Sequence, residues 1–266
     1  MQRYNHRASE RARLQKWEQH RQNPQGPFYA AAFVPETTNG LGLENARLLV
    51  LADLYRRAAP DCQDRSGLGI WGEVSNAGRA EAQQLGCLIS DLHQPPRLCV
   101  QVRDFSHLTR SLSCSQSLVC GRLLRTDGLS AGKLLPDFGA DALRIALLYQ
   151  GPLGKDTAFQ PDILGAAFRF VQRLWRLAHM SEAAAADMPQ AISELHAQVE
   201  QRLADQRPHT ALAALMGFVN KLKCASPATI VELAGLVGPF APFIAAELVE
   251  RLAVPLLQDE QGGKRH

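Results

Sequence analysis

The most constraining feature of the sequence is a pattern that recurs between residues 28 and 102. A short apolar run is followed by a glycine-containing loop and then by an amphipathic segment. Phe28-Tyr29-Ala30-Ala31-Ala32-Phe33-Val34 lies between Pro27 and Pro35 and reads as a buried strand. The loop Thr37-Thr38-Asn39-Gly40-Leu41-Gly42 leads into Leu43–Ala58, a helix with Leu43, Ala46, Val50, Leu54 and Ala58 on one stripe. Gly67–Trp71 is a second, weaker strand, and Asn76–Leu92 a second helix opened by an Asn cap. Arg97–Val102 is a third strand, running into a helical or loop segment through Ser117. Alternating units of this length predict a parallel, doubly wound sheet.

From Gly139 onward the period becomes wholly helical. Ala140–Tyr149 is one helix, and Ile163–His179 another, with Leu164, Ala167, Phe168, Val171, Leu174 and Ala178 on its buried face. An alanine-rich connection over 181–191 contains Pro189, and helices follow at 191–205, 209–223 and 226–253, the last broken by Pro239 and Pro242. A bundle of helices is the expected outcome. Before the first strand, residues 7–21 form a short helix ended by Asn23-Pro24-Gln25-Gly26-Pro27. The fold class is therefore α/β plus all-α. The expected units are a basic helical arm over 1–26, a reduced Rossmann-like domain over 27–137, a helical bundle over 138–255 and a polar tail over 256–266.

The 266 residues are 46% hydrophobic and 21% charged, a composition that excludes a disordered chain. Charges interrupt every apolar run before it reaches membrane-spanning length, and the first residues carry no apolar signal core, so no membrane association is expected. The arm carries a charge of +4, because Arg3, Arg7, Arg11, Arg13, Lys16 and Arg21 face only Glu10 and Glu18, and the rest of the chain is slightly acidic, leaving +3 overall. Such an arm is either a phosphate contact or a solvated helix. The six cysteines form no CxxC pair, which argues against zinc and for reduced thiols in a cytoplasmic protein. Phosphate-loop and HExxH motifs are missing. Ser113-Cys114-Ser115 and Cys120 have no base identifiable from sequence.

The junction between the halves carries the most information. Phe138-Gly139-Ala140-Asp141-Ala142-Leu143-Arg144, Gly151-Pro152 with Lys155-Asp156, and Gly165-Ala166-Ala167-Phe168-Arg169-Phe170 with Arg173-Leu174-Trp175-Arg176-Leu177 occur in series. Thr210-Ala211-Leu212-Ala213-Ala214-Leu215-Met216, Phe218-Val219-Asn220 and Pro239-Phe240-Ala241-Pro242 come later. In this order the segments resemble leucyl-tRNA synthetases, class I enzymes with a Rossmann catalytic domain and an anticodon-binding helical bundle. Tyr4, Lys16-Trp17-Glu18, Gly40, Ala46-Arg47 and Asp53 match the family's opening more faintly. The resemblance implies a shortened paralogue without the family's editing, zinc-bearing and C-terminal modules.

It also locates the positions that should carry adenylate formation. The HIGH-type tetrapeptide falls on Gly42-Leu43-Glu44-Asn45, with neither histidine. Glu44 at a helix N-terminus either repels ATP phosphates or simply complements its own helix dipole, the latter worth about 0.3–1 kcal/mol. The KMSKS-type loop falls on Gly121-Arg122-Leu123-Leu124-Arg125-Thr126-Asp127, with Leu123 at the catalytic lysine position and a cation kept only at Arg125. The resemblance thus implies a tRNA- or protein-binding paralogue that needs no cofactor. RNA-binding candidates are the stripe Arg169, Arg173 and Arg176, together with Lys221 and Lys223; a solvated helix face is the alternative. Two other functions stay open. One is redirected ATP-dependent adenylate or aminoacyl-transfer chemistry around Gly40, Glu44, Asn45, Glu73 and Arg125; the other is an oligomerisation subunit.

Overall fold

The computed structural model describes residues 3–19, 28–35, 40–59, 67–109, 113–126, 128–180 and 187–262. The breaker stretch 23–27, Thr37–Asn39, Cys62, Asp127, most of the alanine-rich connection and the last residues of the tail lie outside them. Helix α1 (His6–Gln19) precedes β1 (Ala30–Phe33), α2 (Leu43–Ala58), β2 (Leu68–Trp71), α3 (Asn76–Gln84), β3 (Ile89–Asp91) and β4 (Leu98–Val102). After a 3-10 turn (Arg103–Phe105) come α4 (Ser106–Thr109), β5 (Gln116–Cys120), β6 (Leu123–Leu124), α5 (Ala131–Phe138), α6 (Ala140–Leu148) and β7 (Thr157–Ala158). The helices α7 (Asp162–His179), α8 (Pro189–Ala204), α9 (Pro208–Lys221), α10 (Pro227–Val237) and α11 (Pro242–Gly262) complete the chain.

Strands β1 to β5 make a parallel five-stranded sheet in the order β3-β2-β1-β4-β5. The chain winds outward from β1 to β3, then returns beside β1 and winds the other way, so the fold is Rossmann-like and doubly wound, followed by helices. Two expectations fail here. The second helix stops at Gln84, where Leu85 and Gly86 (φ +77°) turn the chain into β3. The segment through Ser117 ends in β5, an edge strand with alternate residues exposed, which hid it among polar residues. Helix α5 was not expected at all, and the break expected at Pro239 and Pro242 is the turn Pro239–Ala241 that separates α10 from α11.

Helix α2 is buried without interruption from Ala46 to Leu54, not along one stripe. The sheet covers one side and α6 the other, and α6 is itself buried at every position from Ala140 to Leu148. One continuous apolar core therefore runs from the strands through α2 and α6 into α7–α11. Two charged residues of this interior face each other: Arg144 of α6 and Asp53 of α2 lie 2.9 Å apart, both side chains fully buried. Arg56 and Arg57 also reach Asp53, each at 2.7 Å. Burial pulls the Asp53 carboxyl upward, but Arg57, Arg56 and Arg144 outweigh it and hold it well below the usual carboxylate range. Arg144 spends its other donors on Leu85 O, Pro239 O and Phe240 O. One guanidinium thus closes both the end of α3 and the α10–α11 turn.

Asp141, one turn earlier, accepts from the Phe243 and Ile244 amides and caps α11. Glu10 of α1 accepts from the Ala140 amide at 2.6 Å, capping α6. Between them, Gly139 (φ +79°) joins α5 to α6. A Cβ there would lie 2.7 Å from the Glu10 carboxylate, so the turn requires glycine. Burial pushes Asp141 up to about 6 against its amide donors, and burial with the Asp141 charge pushes Glu10 up to about 8. Both carboxyls therefore bind protons more readily in the folded chain than in the unfolded one. Their contribution to stability is full below the ordinary carboxylate range and is lost as pH rises through about 6 and then about 8. Asp53 works in the opposite sense, its contribution fading only as pH falls below that range. Thermal melts should accordingly show Tm falling between neutral and mildly alkaline pH. In Glu10→Gln, whose amide oxygen still accepts from Ala140, Tm at alkaline pH should exceed wild type by about 3 °C. Equal slopes for the two proteins would contradict the assignment.

Candidate functional site

In an open parallel sheet a ligand crevice forms beyond the C-terminal strand ends, where the winding reverses, here between β1 and β4. Three aromatic rings fill the floor of that place. Phe33, the last residue of β1, packs edge-on against Trp71 at 5.0 Å and in a tilted arrangement against Phe105 at 5.1 Å. The loop after β2 comes just as close, because the Val34 amide donates to Trp71 O. Gly72 (φ +121°) permits this, since a Cβ there would fall 1.8 Å from Val34 O. Asp104 and Phe105 were missed from sequence, although a polar-aromatic pair directly after an apolar strand is where this fold displays its site residues.

The four HIGH-like positions open α2. Gly42 is its N-cap and makes an antiparallel bridge with Ser130; Leu43 is fully buried; Glu44 and Asn45 are partly exposed. Glu81 of α3 holds the approach by accepting from the Leu41 amide at 2.8 Å, beside Gly40 and Gly132. No side chain caps α2. Glu44 turns away from its own helix end, and its Oε1 accepts from the Leu123 amide at 2.9 Å. The HIGH-like and KMSKS-like segments are therefore bonded to each other.

The KMSKS-like residues form a strand rather than an open loop. Gly121 N donates to Leu153 O, Arg122 N to Asp156 Oδ1, and Leu123 N to Glu44. Thr157 N and Phe159 N return bonds to Arg122 O and Leu124 O, so Leu123–Leu124 pairs with Thr157–Ala158 as β6 and β7. Backbone amides that could cradle a phosphate are thus already donated within the chain. Leu123 is buried, Leu124 is exposed, and the exposed Arg125 sits at φ +57°. Arg122 lies 3.8 Å from both Glu44 and Asp104, with more than half its side chain exposed; pairs of this kind contribute about 0–1 kcal/mol. The Leu123 amide, not the ion pair, is the stronger tie. Glu73 is exposed on the loop after β2 and contacts none of these groups in the described residues. Cys120 is buried, and burial pushes its thiol up to about 11, against the attraction of Arg47.

On the helical half, Arg169 and Arg176 are exposed on α7, as are Lys221 and Lys223 at the end of α9. Arg173 is committed elsewhere. Its guanidinium donates to Val219 O, Asn220 O and Leu222 O, closing the carbonyl end of α9. It brings Lys221 and Lys223 beside α7. Among the described residues no group of His, Cys, Asp and Glu could hold a metal ion, and no helix is long and apolar enough to cross a membrane.

No protein-family model matches the chain. Leucine–tRNA ligases do match it in part. That of Protochlamydia amoebophila is 28% identical over 134 residues, 48% of this chain and 16% of the relative. Those of Synechococcus elongatus and Mycobacterium ulcerans are each 33% identical over 47% of this chain, and over 17% and 14% of the relative respectively. The chain is leucyl-tRNA synthetase-like. The match spans well under a fifth of these relatives' own length. Among solved structures, an Agrobacterium radiobacter K84 LeuRS in ternary complex with tRNA and LeuAMS aligns with TM-score 0.45 at 18% identity, over 59% of this chain and 28% of that one. The free-state Mycobacterium tuberculosis methionyl-tRNA synthetase aligns with TM-score 0.41 at 15% identity, over 58% and 43%.

In this leucyl-tRNA synthetase-like chain the link from Glu44 to Leu123 is testable without knowing the activity. Glu44→Ala should speed hydrogen exchange at the Leu123 amide by about 10- to 100-fold, the equivalent of one charge-assisted hydrogen bond. Exchange at Leu123 unchanged from wild type would remove that bond from the account.

Proposed function

We propose that this chain is a tRNA-binding protein that forms no aminoacyl adenylate and needs no ATP. The observation that carries the reading is the Glu44–Leu123 bond across the crevice. Gly42 and Asn45 stand where a class I enzyme places its two imidazoles, and the carboxylate of Glu44 between them holds down the backbone that should approach ATP. A leucine side chain occupies the position of the phosphate-contacting lysine, and leucine has no donor to offer a phosphate. The transition-state charge of adenylation would therefore meet a carboxylate and an alkyl group instead of cations.

Binding falls to the helical half. Its relatives are leucine–tRNA ligases, so tRNA is the natural partner for the exposed Arg169, Arg176, Lys221 and Lys223. Contacts of this kind reach phosphates and carry little sequence information. Arg173 belongs to this surface as its support, through the α9 carbonyls.

Two measurements divide the reading into its parts. ATP–pyrophosphate exchange with leucine and the other amino acids should be flat; exchange above background would overturn the loss of adenylation. Titration with tRNA-Leu at low and high salt should give salt-dependent affinity. Replacing Arg169, Arg176, Lys221 and Lys223 by alanine should reduce the slope of log K against log salt by roughly 0.7–0.9 per phosphate contact removed. Absent or salt-independent binding would overturn the RNA assignment and favour a protein partner.

A further inference from the structure

A cavity of about 370 Å³ lies between the N-terminal arm, the end of α5 and the middle of α7. Its walls come from three separate parts of the sequence: residues 3–7, Pro136 with Asp137, and Phe168 with Gln172. The volume falls within the range of small-ligand sites, roughly 300–1,000 Å³. The fold fixes these walls. Gln172 accepts from the Tyr4 amide and donates to Tyr4 O, both at 3.1 Å. Arg7 donates through Nε and Nη2 to Pro136 O, at 3.1 and 2.7 Å. Asn5 accepts from the Ala8 amide at 3.3 Å and so caps the first turn of α1. The cavity is therefore built into the docking of α1 on α5 and α7, and the exposed Arg3, Asn5, Arg7 and Asp137 leave it open to solvent.

Two kinds of chemistry meet in it. Arg3 and Arg7 bring guanidinium groups to the N-terminal end of the 14-residue α1, where the helix dipole is positive. Among the described residues no carboxylate pairs with either arginine, and the bonds to Pro136 O leave the Nη1 donors of Arg7 free. Phe168 and His6 bring aromatic rings, set edge to face with centroids 6.2 Å apart. Phe168 holds one of the periodic apolar positions of α7, yet it is only partly buried. His6 Nε2 is buried without a hydrogen-bond partner. Asn5 and Asp137 add an amide donor and a carboxylate acceptor.

We propose that this cavity binds one nucleotide, with Arg3 and Arg7 on its phosphate, Phe168 and His6 against its base, and Asn5 and Asp137 at the base edge. An inorganic anion would leave the rings uncovered and would meet the Asp137 charge, and an apolar ligand would leave the guanidinium groups unanswered. A nucleotide joins a phosphate to a flat ring that carries both donors and acceptors, which matches all three sets of residues. The cavity also continues the basic surface assigned above to tRNA. Exposed Arg169 follows Phe168 directly, and exposed Arg176 lies one turn beyond Gln172 on the same face of α7. The occupant is either an unpaired nucleotide of a bound RNA or a free nucleoside monophosphate. The first source rests on the RNA-binding reading, and the second does not.

The test is calorimetric titration of the full chain with each of the four ribonucleoside 5′-monophosphates, set against the matching nucleosides and inorganic phosphate. At least one monophosphate should bind about 10-fold more tightly than either of its halves. Arg3→Gln, a change at an exposed side chain, should weaken that monophosphate about 5-fold and leave its nucleoside unchanged. Phe168→Leu, which keeps an apolar side chain against the core, should weaken monophosphate and nucleoside alike by about 10-fold, the loss of one stacked ring. Displacement of the monophosphate by tRNA-Leu identifies an RNA nucleotide as the occupant; binding that tRNA-Leu leaves undisturbed identifies the free monophosphate. No binding of any monophosphate, binding no tighter than that of the halves, or binding that both substitutions leave unchanged would overturn the pocket. Salt-dependent binding of tRNA-Leu in that case would show that the RNA-binding reading stands without it.

Discussion

The Asp53 carboxylate is the group on which the arrangement of the chain depends. It sits on a helix enclosed by the sheet and by α6, where a lone carboxylate would be prohibitively desolvated. Arg144 answers it from α6, and Arg56 and Arg57 from α2 itself. Arg57 continues to Gly86 O, and Arg144 to Leu85 O, Pro239 O and Phe240 O. The sheet half, the turn after α3 and the α10–α11 turn are thus fixed by reference to one carboxylate. A buried ion pair is weak evidence for net stability, since a well-packed apolar pair can serve as well. Its effect is on geometry: bonds to carbonyls from three parts of the chain cannot all be made in another arrangement. The exposed ion pairs of Glu250 with Arg13 and Lys16 contribute about 0–1 kcal/mol by comparison. Helix α1 is held mainly by Trp17 against Phe243, Tyr4 against Trp175, and Glu10 on α6.

This separation of duties explains how the scaffold and the crevice can diverge. Asp53, Asp141 and Arg144 lie on the α2–α6 side and do not touch the strand ends. Glu44, Leu123 and Asp104 lie at the strand ends, and none of them bonds to the Asp53 network. Replacing the residues of the crevice leaves the network intact. The Phe33–Trp71–Phe105 cluster and the Glu44–Leu123 bond lie at the crevice end of the sheet.

Much of this was legible in the sequence, for reasons that differ by element. Strands β1, β2 and β4 are short apolar runs set off by prolines or glycines, and they read correctly. β3 is three residues long and β5 is a half-exposed edge, so neither carries an apolar signal. Asp141 and Arg144 stood out only as part of a motif, and spacing alone gave no hint that both serve the Pro239–Ile244 segment about a hundred residues away. Glu44 looked like a helix-dipole partner, since its acceptor lies 79 positions along the chain. Arg47 lies off the apolar stripe visible in the sequence, yet it is buried, because α2 is enclosed on all sides through that region.

The most direct measurement is a double-mutant cycle on Asp53 and Arg144, with Asp53→Leu, Arg144→Met and the pair compared by urea unfolding. Asp53→Leu strands the buried Arg144 charge and should cost about 3–5 kcal/mol, and Arg144→Met leaves Asp53 to Arg56 and Arg57 but orphans the carbonyls it bonds; the double should cost much less than the sum, leaving a coupling of about 2–3 kcal/mol. Additive losses would show that the two halves are joined by apolar packing alone, and would contradict the central place given to this ion pair.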